Sequence, residues 1–185
     1  MRRRPFFEGP ARTRAVKILE QDVELFQRAG CTDVEWLGPL AARFAALADR
    51  PALRIEMAPQ GKVFGGIYGL EISTDDPVLP RTRGLSGRGR GVARLRGVAF
   101  RARRGDEAGQ RLADLLERDR RLVDRLGKVH FEKIRVDPEG RPVIRHMGGS
   151  LVWFLFPPLI KGIPLVAEQV KATIAALEAF AAAGR

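Results

Sequence analysis

The sequence predicts an α+β fold: a mostly antiparallel sheet of about six strands with helices packed on one face. Three observations lead there. Short stretches that alternate apolar and polar residues recur on both sides of a long helical segment at 106–126. Pro-x-Gly turns at 59–61 and 138–140 each stand between two such stretches, as in a hairpin. Helical periodicity marks further segments near both ends of the chain. With 185 residues, 45% hydrophobic and 30% charged, the chain can bury a core without disulfides and reads as one domain over 1–185.

Val16, Leu19, Val23 and Phe26 recur at helical spacing in 11–29, and Gly30 is a natural C-terminal stop. Cys31 to Leu37 reads as a short extended piece. Gly38-Pro39 then opens a second helix carrying Leu40, Phe44 and Leu47, closed by Pro51. Leu53, Ile55 and Met57 alternate with Arg54 and Glu56 in a half-buried strand, and Val63 to Ser73 is its return. Residues 75–91 read as a long flexible loop, and Val92 to Arg103 as a third strand. A helix follows over 106–126, with Leu112, Leu115, Leu116, Val123 and Leu126 on its apolar stripe. Strands over 129–136, 142–147 and 151–156 precede a C-terminal helix at 165–183.

The order suggests two βββ units, pseudo-repeats at 38–104 and 106–158. At an offset of 79 residues Ile55 matches Ile134 and Met57 matches Val136. Either the unit is duplicated or two common turns coincide.

Composition bounds the function. One cysteine, Cys31, excludes an intrachain disulfide framework and a multi-cysteine zinc cluster, and it fits the cytoplasm. Met1-Arg2-Arg3-Arg4 lacks a following apolar stretch, and the run from Met147 to Ile160 is too short and too Pro-broken to form a transmembrane segment. No phosphate loop, nucleophile elbow or His-Glu-x-x-His motif is present, and no cofactor is implied. These features favour a non-enzymatic binding module.

The charge is the informative feature: 33 Lys+Arg against 22 Asp+Glu give +11. Arginine far outnumbers lysine, as in a bacterial-like chain encoded by GC-rich DNA, yet the excess is local. From Arg81 to Arg104 there are nine Arg and no acid. The expected anion-binding set is Arg81, Arg83, Arg88, Arg90, Arg94, Arg96, Arg101 and Arg103, joined by Lys133, Arg135 and Arg145 from one face of the second hairpin. Nucleic acid or another polyanion is the partner such a surface takes. The low aromatic content and the absence of an RNP-type motif leave a solvated Arg-rich face as the plainer alternative.

Two other constellations compete. If residue 134 pairs with 144, Glu132 lies opposite His146 with His130 diagonal to it, a trio that suits a metal or a buried His–Glu hydrogen bond. A one-residue register slip would separate them. Residues 150–166 form an apolar segment. Its Trp153, Phe154, Phe156 and Ile160, with Lys161 beside them, form either a strand covered on both sides or an exposed patch. A patch would serve a homodimer, a membrane surface or an apolar ligand. Covered packing of 151–156 is the favoured expectation.

Overall fold

The computed structural model describes residues 8–48, 50–62, 64–90, 97–155 and 158–185. Helix α1, Glu8–Arg28, buries Ala11, Ala15, Leu19, Val23 and Phe26 along one stripe, as its periodicity dictates. Gly30 ends it in the left-handed region.

The predicted helix over 38–51 is instead a hairpin of β1, Val34–Gly38, and β2, Ala41–Phe44. Leu40, Phe44 and Leu47 fit a helical period, but so short an apolar run cannot distinguish the periods. Pairing decides it, because β2 lies between β1 and β3, Leu53–Lys62, and Phe44 stacks on Phe26 with ring centroids 5.6 Å apart. Strand β3 also runs through Pro59-Gln60-Gly61, which is not a turn: Pro59 faces Tyr68 in the ladder with β4, Gly65–Thr74. Beyond Glu56, β2 no longer flanks β3, so proline is tolerated there as on an edge strand.

Residues 85–90 are not loop but strand β5, Leu85–Arg90, between β6, Gly97–Ala102, and β7, Phe131–Val136. Its inward positions include Gly87, where a Cβ would meet Phe100 and Ile134, so no apolar alternation announces the strand. The preceding segment is pinned through Val78 and Leu79 N–H to the Gly140 carbonyl and through Arg83 N–H to Asp106. The 106–126 helix is two helices, α2, Glu107–Arg118, and α3, Arg120–Leu126. Asp119 has an extended backbone between them and accepts from Leu122 N–H as a cap.

Strand β8, Pro142–His146, returns from β7 through the predicted turn at 137–140. Strands β9, Ser150–Leu155, and β10, Pro158–Ile163, form a further hairpin, and helix α4, Ala167–Ala183, closes the described chain. The sequence reading had no β10, because Pro158 reads as a stop; proline is accepted as the first residue of an edge strand.

The described residues therefore form an α+β fold of four helices and a ten-strand antiparallel sheet that is not closed. Its order is β1-β2-β3-β4-β8-β7-β5-β6, with β9 on the other half of β4 and β10 outside β9. The inward side carries Ile55, Met57, Leu70, Ile72, Ile144, Ile134, Leu85 and Phe100 in register. On that side α1 lies against β3 and β9, α4 against β8, and α2 and α3 against β6. The two proposed repeats differ in pairing: Ile55 pairs with Ile72, while its counterpart Ile134 pairs with Ile144, much closer in sequence.

Candidate anion-binding face of the sheet

Residues that alternate with the core positions point away from the helices. Register places Arg101 of β6 opposite Ser86 of β5, and Ser86 opposite Arg135 of β7. In the adjoining rows Arg88 lies opposite Ala99, and Lys133 opposite Arg145 of β8. Neighbouring strands are about 4.8 Å apart, so five cations share a compact block on the helix-free side.

Acids from the middle of the sheet neutralise part of this block. Glu71 of β4 lies 2.7 Å from Arg135 Nη2 and 3.7 Å from Arg145 Nη1. Glu132 lies 3.3 Å from Arg145 Nε, an ion pair without hydrogen-bond geometry. Arg145 is only 7% exposed and lies flat across Gly69, where a Cβ would fall 2.5 Å from Nη2. Glycine at 69 is thus a condition for seating this guanidinium. Arg145 and Arg135, expected as anion ligands, are held by protein carboxylates instead. Arg88, Arg101 and Lys133 are exposed and form no ion pair among the described residues.

The remaining basic candidates scatter. Arg81 and Arg83 are exposed in the connection before β5, and Arg103 is exposed just after β6. Arg90 ends β5, while Arg94 and Arg96 lie outside the described residues. Among the described residues, the exposed aromatics Phe64 and Phe154 lie at the far end of β4 and Trp36 on β1 at the other end of the sheet order, all away from the cationic block, which therefore offers charge without stacking platforms.

The histidine trio does not assemble. Ile134 pairs with Ile144 as expected, but an irregularity between Phe131 and Lys133 shifts the ladder, and His146 faces Phe131 rather than Glu132. Glu132 points to the open side and pairs with Arg145, His130 is exposed, and His146 points into the core. Among the described residues, no group of three His, Cys, Asp or Glu side chains is placed to hold a metal ion. His146 Nε2 lies 2.7 Å from Thr173 Oγ1, whose proton goes to the Gln169 carbonyl, so Nε2 donates and Nδ1 is left without a partner. Burial, reinforced by His130, pushes the His146 pKa down to about 4. Its imidazole should accordingly stay neutral at pH 5.5 in the folded protein. An NMR titration of its ring protons with a midpoint near 6.5 would refute this placement.

The apolar segment divides between the two sides. Leu151 and Trp153 face the helices, and Trp153 is buried over Gly66. Phe154 is 46% exposed on the other side, so the expectation of cover on both sides fails: the helical layer covers one side only. Ile160 is half-buried against the core, Leu159 and Ile163 are exposed, and Phe156 lies outside the described residues. Among the described residues, no helix is long and apolar enough to cross a membrane.

Two residues of consequence escaped the sequence reading. Glu71 sits in a strand read only for its apolar positions. Asp22 lies on the buried side of α1, one turn from Leu19 and Phe26, and is itself buried. An acid inside an apolar stripe was the available signal.

No curated protein and no solved structure is significantly similar to the chain. One family model, described as a protein of unknown function (DUF3156), matches residues 14–183. That span runs from the second turn of α1 to the end of α4, and the chain belongs to the DUF3156 family.

Proposed function

We propose that the helix-free side of β6–β5–β7 binds a polyanion through its charged backbone, as a non-enzymatic binding module in the cytoplasm. The observation that carries the reading is the set Arg88, Arg101 and Lys133, without an ion pair among the described residues and clustered on adjacent strands on the side the helices leave open. Arg135 and Arg145, tied to Glu71 and Glu132, frame the set and fix its spacing. With no aromatic residue in the block, recognition is of phosphate or sulfate charge, with little discrimination between base sequences. Nucleic acid and sulfated polysaccharide share this chemistry.

The test compares retention on heparin and on duplex DNA for the parent and for Arg88→Gln, Arg101→Gln and Lys133→Gln combined. All three side chains are exposed, so the variant keeps its core. The parent should elute at higher salt. In a binding titration the slope of log affinity against log salt should shrink by about 2 to 3 for DNA, near 0.9 per lost phosphate contact. Unchanged retention and slope would remove the reading. A DNA effect without a heparin effect would assign the surface to nucleic acid.

One observation favours a second reading. Phe154, Leu159 and Ile163 are exposed together on the outward side of β9–β10, flanking Lys161. This is the side-chain set of an apolar-ligand or membrane-surface site. Sedimentation with anionic vesicles, lost in Phe154→Ser but not in the triple Gln variant, would promote it.

A further inference from the structure

On the covered side of the molecule, a groove of about 950 Å³ runs between α1 and the connection from β10 to α4. Its inner edge is one row of α1, Arg14, Ile18, Asp22 and Leu25, each about a helical turn from the next. Pro164 and Leu165 form the opposite apolar wall, and Lys17 also lines the groove.

Asp22 is 3% exposed, and its Oδ2 has no hydrogen-bond partner among the described residues. Leu70 and the bend at Gly149 close in behind it, since a Cβ on Gly149 would fall 2.5 Å from the Leu70 side chain and 2.7 Å from Oδ2. Oδ2 is enclosed on that side, and the carboxylate borders the groove through its remaining surface; a buried carboxylate without a donor is costly, and a group supplied from the groove would offset that cost. An ammonium answers a carboxylate best, with charge as well as protons. Toward the other end, Arg14 and Lys17 form no ion pair among the described residues, whereas Arg28 is already tied to Glu24 at 3.2 Å. Arg14 precedes Asp22 by two turns, about 12 Å along the axis. Three extended residues of peptide span about 10 Å.

We propose that this groove binds a short apolar peptide with free ends, its ammonium on Asp22, its carboxylate on Arg14 and Lys17, and its side chains between Ile18 and the Pro164–Leu165 wall. The site is separate from the open sheet side, so either proposal can fail without the other.

Trileucine, N-acetyl-trileucine and trileucine amide are the probes, read by calorimetric titration and by thermal shift of the full chain. Trileucine should bind, and each blocked derivative should bind at least tenfold more weakly. In Asp22→Asn the penalty for acetylation should vanish while the penalty for amidation persists; Arg14→Gln should shrink the penalty for amidation and leave that for acetylation. Both variants should remain folded by circular dichroism, because Arg14 is exposed and Asn matches the shape of Asp22. Absence of trileucine binding to the parent, or equal binding of the acetylated form, would overturn the proposal.

Discussion

Trp153→Ala is expected to lower the unfolding free energy by about 3–5 kcal/mol, the range for deleting a large buried aromatic. The indole lies on the helix-facing side of β9 and is 7% exposed. It fills the space left by Gly66, where a Cβ would come within 3 Å of three indole atoms. Gly66 cannot move in to fill the void, because it has no side chain and its backbone is held in the ladder. Phe154→Ala, one position along and on the other side, should change stability by no more than about 0.5 kcal/mol, as for an exposed site. Urea denaturation of the two variants separates the sides. Equal losses would mean that both are covered.

Asp22→Asn is expected to remove a pH dependence. Burial pushes the Asp22 pKa from 3.8 up to about 7. Between those values the folded chain keeps a proton that the unfolded chain has released, so stability falls as pH rises from about 4 to about 7 and levels off above. The full drop is roughly 4 kcal/mol. Asparagine does not titrate, so the variant should match the parent near pH 4 and exceed it at pH 8. Identical pH profiles by chemical denaturation would show that Asp22 is ionised at no cost. His146 acts in the opposite sense: its contribution is complete above pH 6.5 and is lost as pH falls toward about 4. The two slopes oppose one another between about pH 4 and 6.5.

Helices α1 and α4 were legible because their stripes are long enough for the 3.6-residue period to stand out. The second hairpin was legible from its turn, where Asp137 and Gly140 supply the hydrogen bonds and the positive φ the geometry needs. The β1–β2 hairpin was not, since Leu40, Phe44 and Leu47 satisfy a helical period by coincidence. Strand β5 was hidden by Gly87, whose missing side chain is what lets Phe100 pack there. The basic block was visible as composition, but its neutralisation was not: Glu71 reaches Arg135 and Arg145 only through the register of β4 against β8. The separation of Glu132 from His146 turns on a local irregularity in the β7–β8 ladder, which no residue pattern announces.

Strand β4 has two successive partners on one edge, β8 along its second half and β9 along its first. Its other edge is filled at once by the neighbouring β3, through a tight local hairpin. The β8–β9 edge must wait: Ile72 meets Ile144, and Tyr68 meets Leu151, only after the helical pair α2–α3 has been made. Closing so long a loop costs little more free energy than closing a short one, but contacts this distant in sequence slow the search. On the ribosome, a chain that has emerged only as far as β4 has neither β8 nor β9 to cover that edge. That edge is a template for another copy of the same hairpin, so intermolecular pairing competes with folding as protein concentration rises.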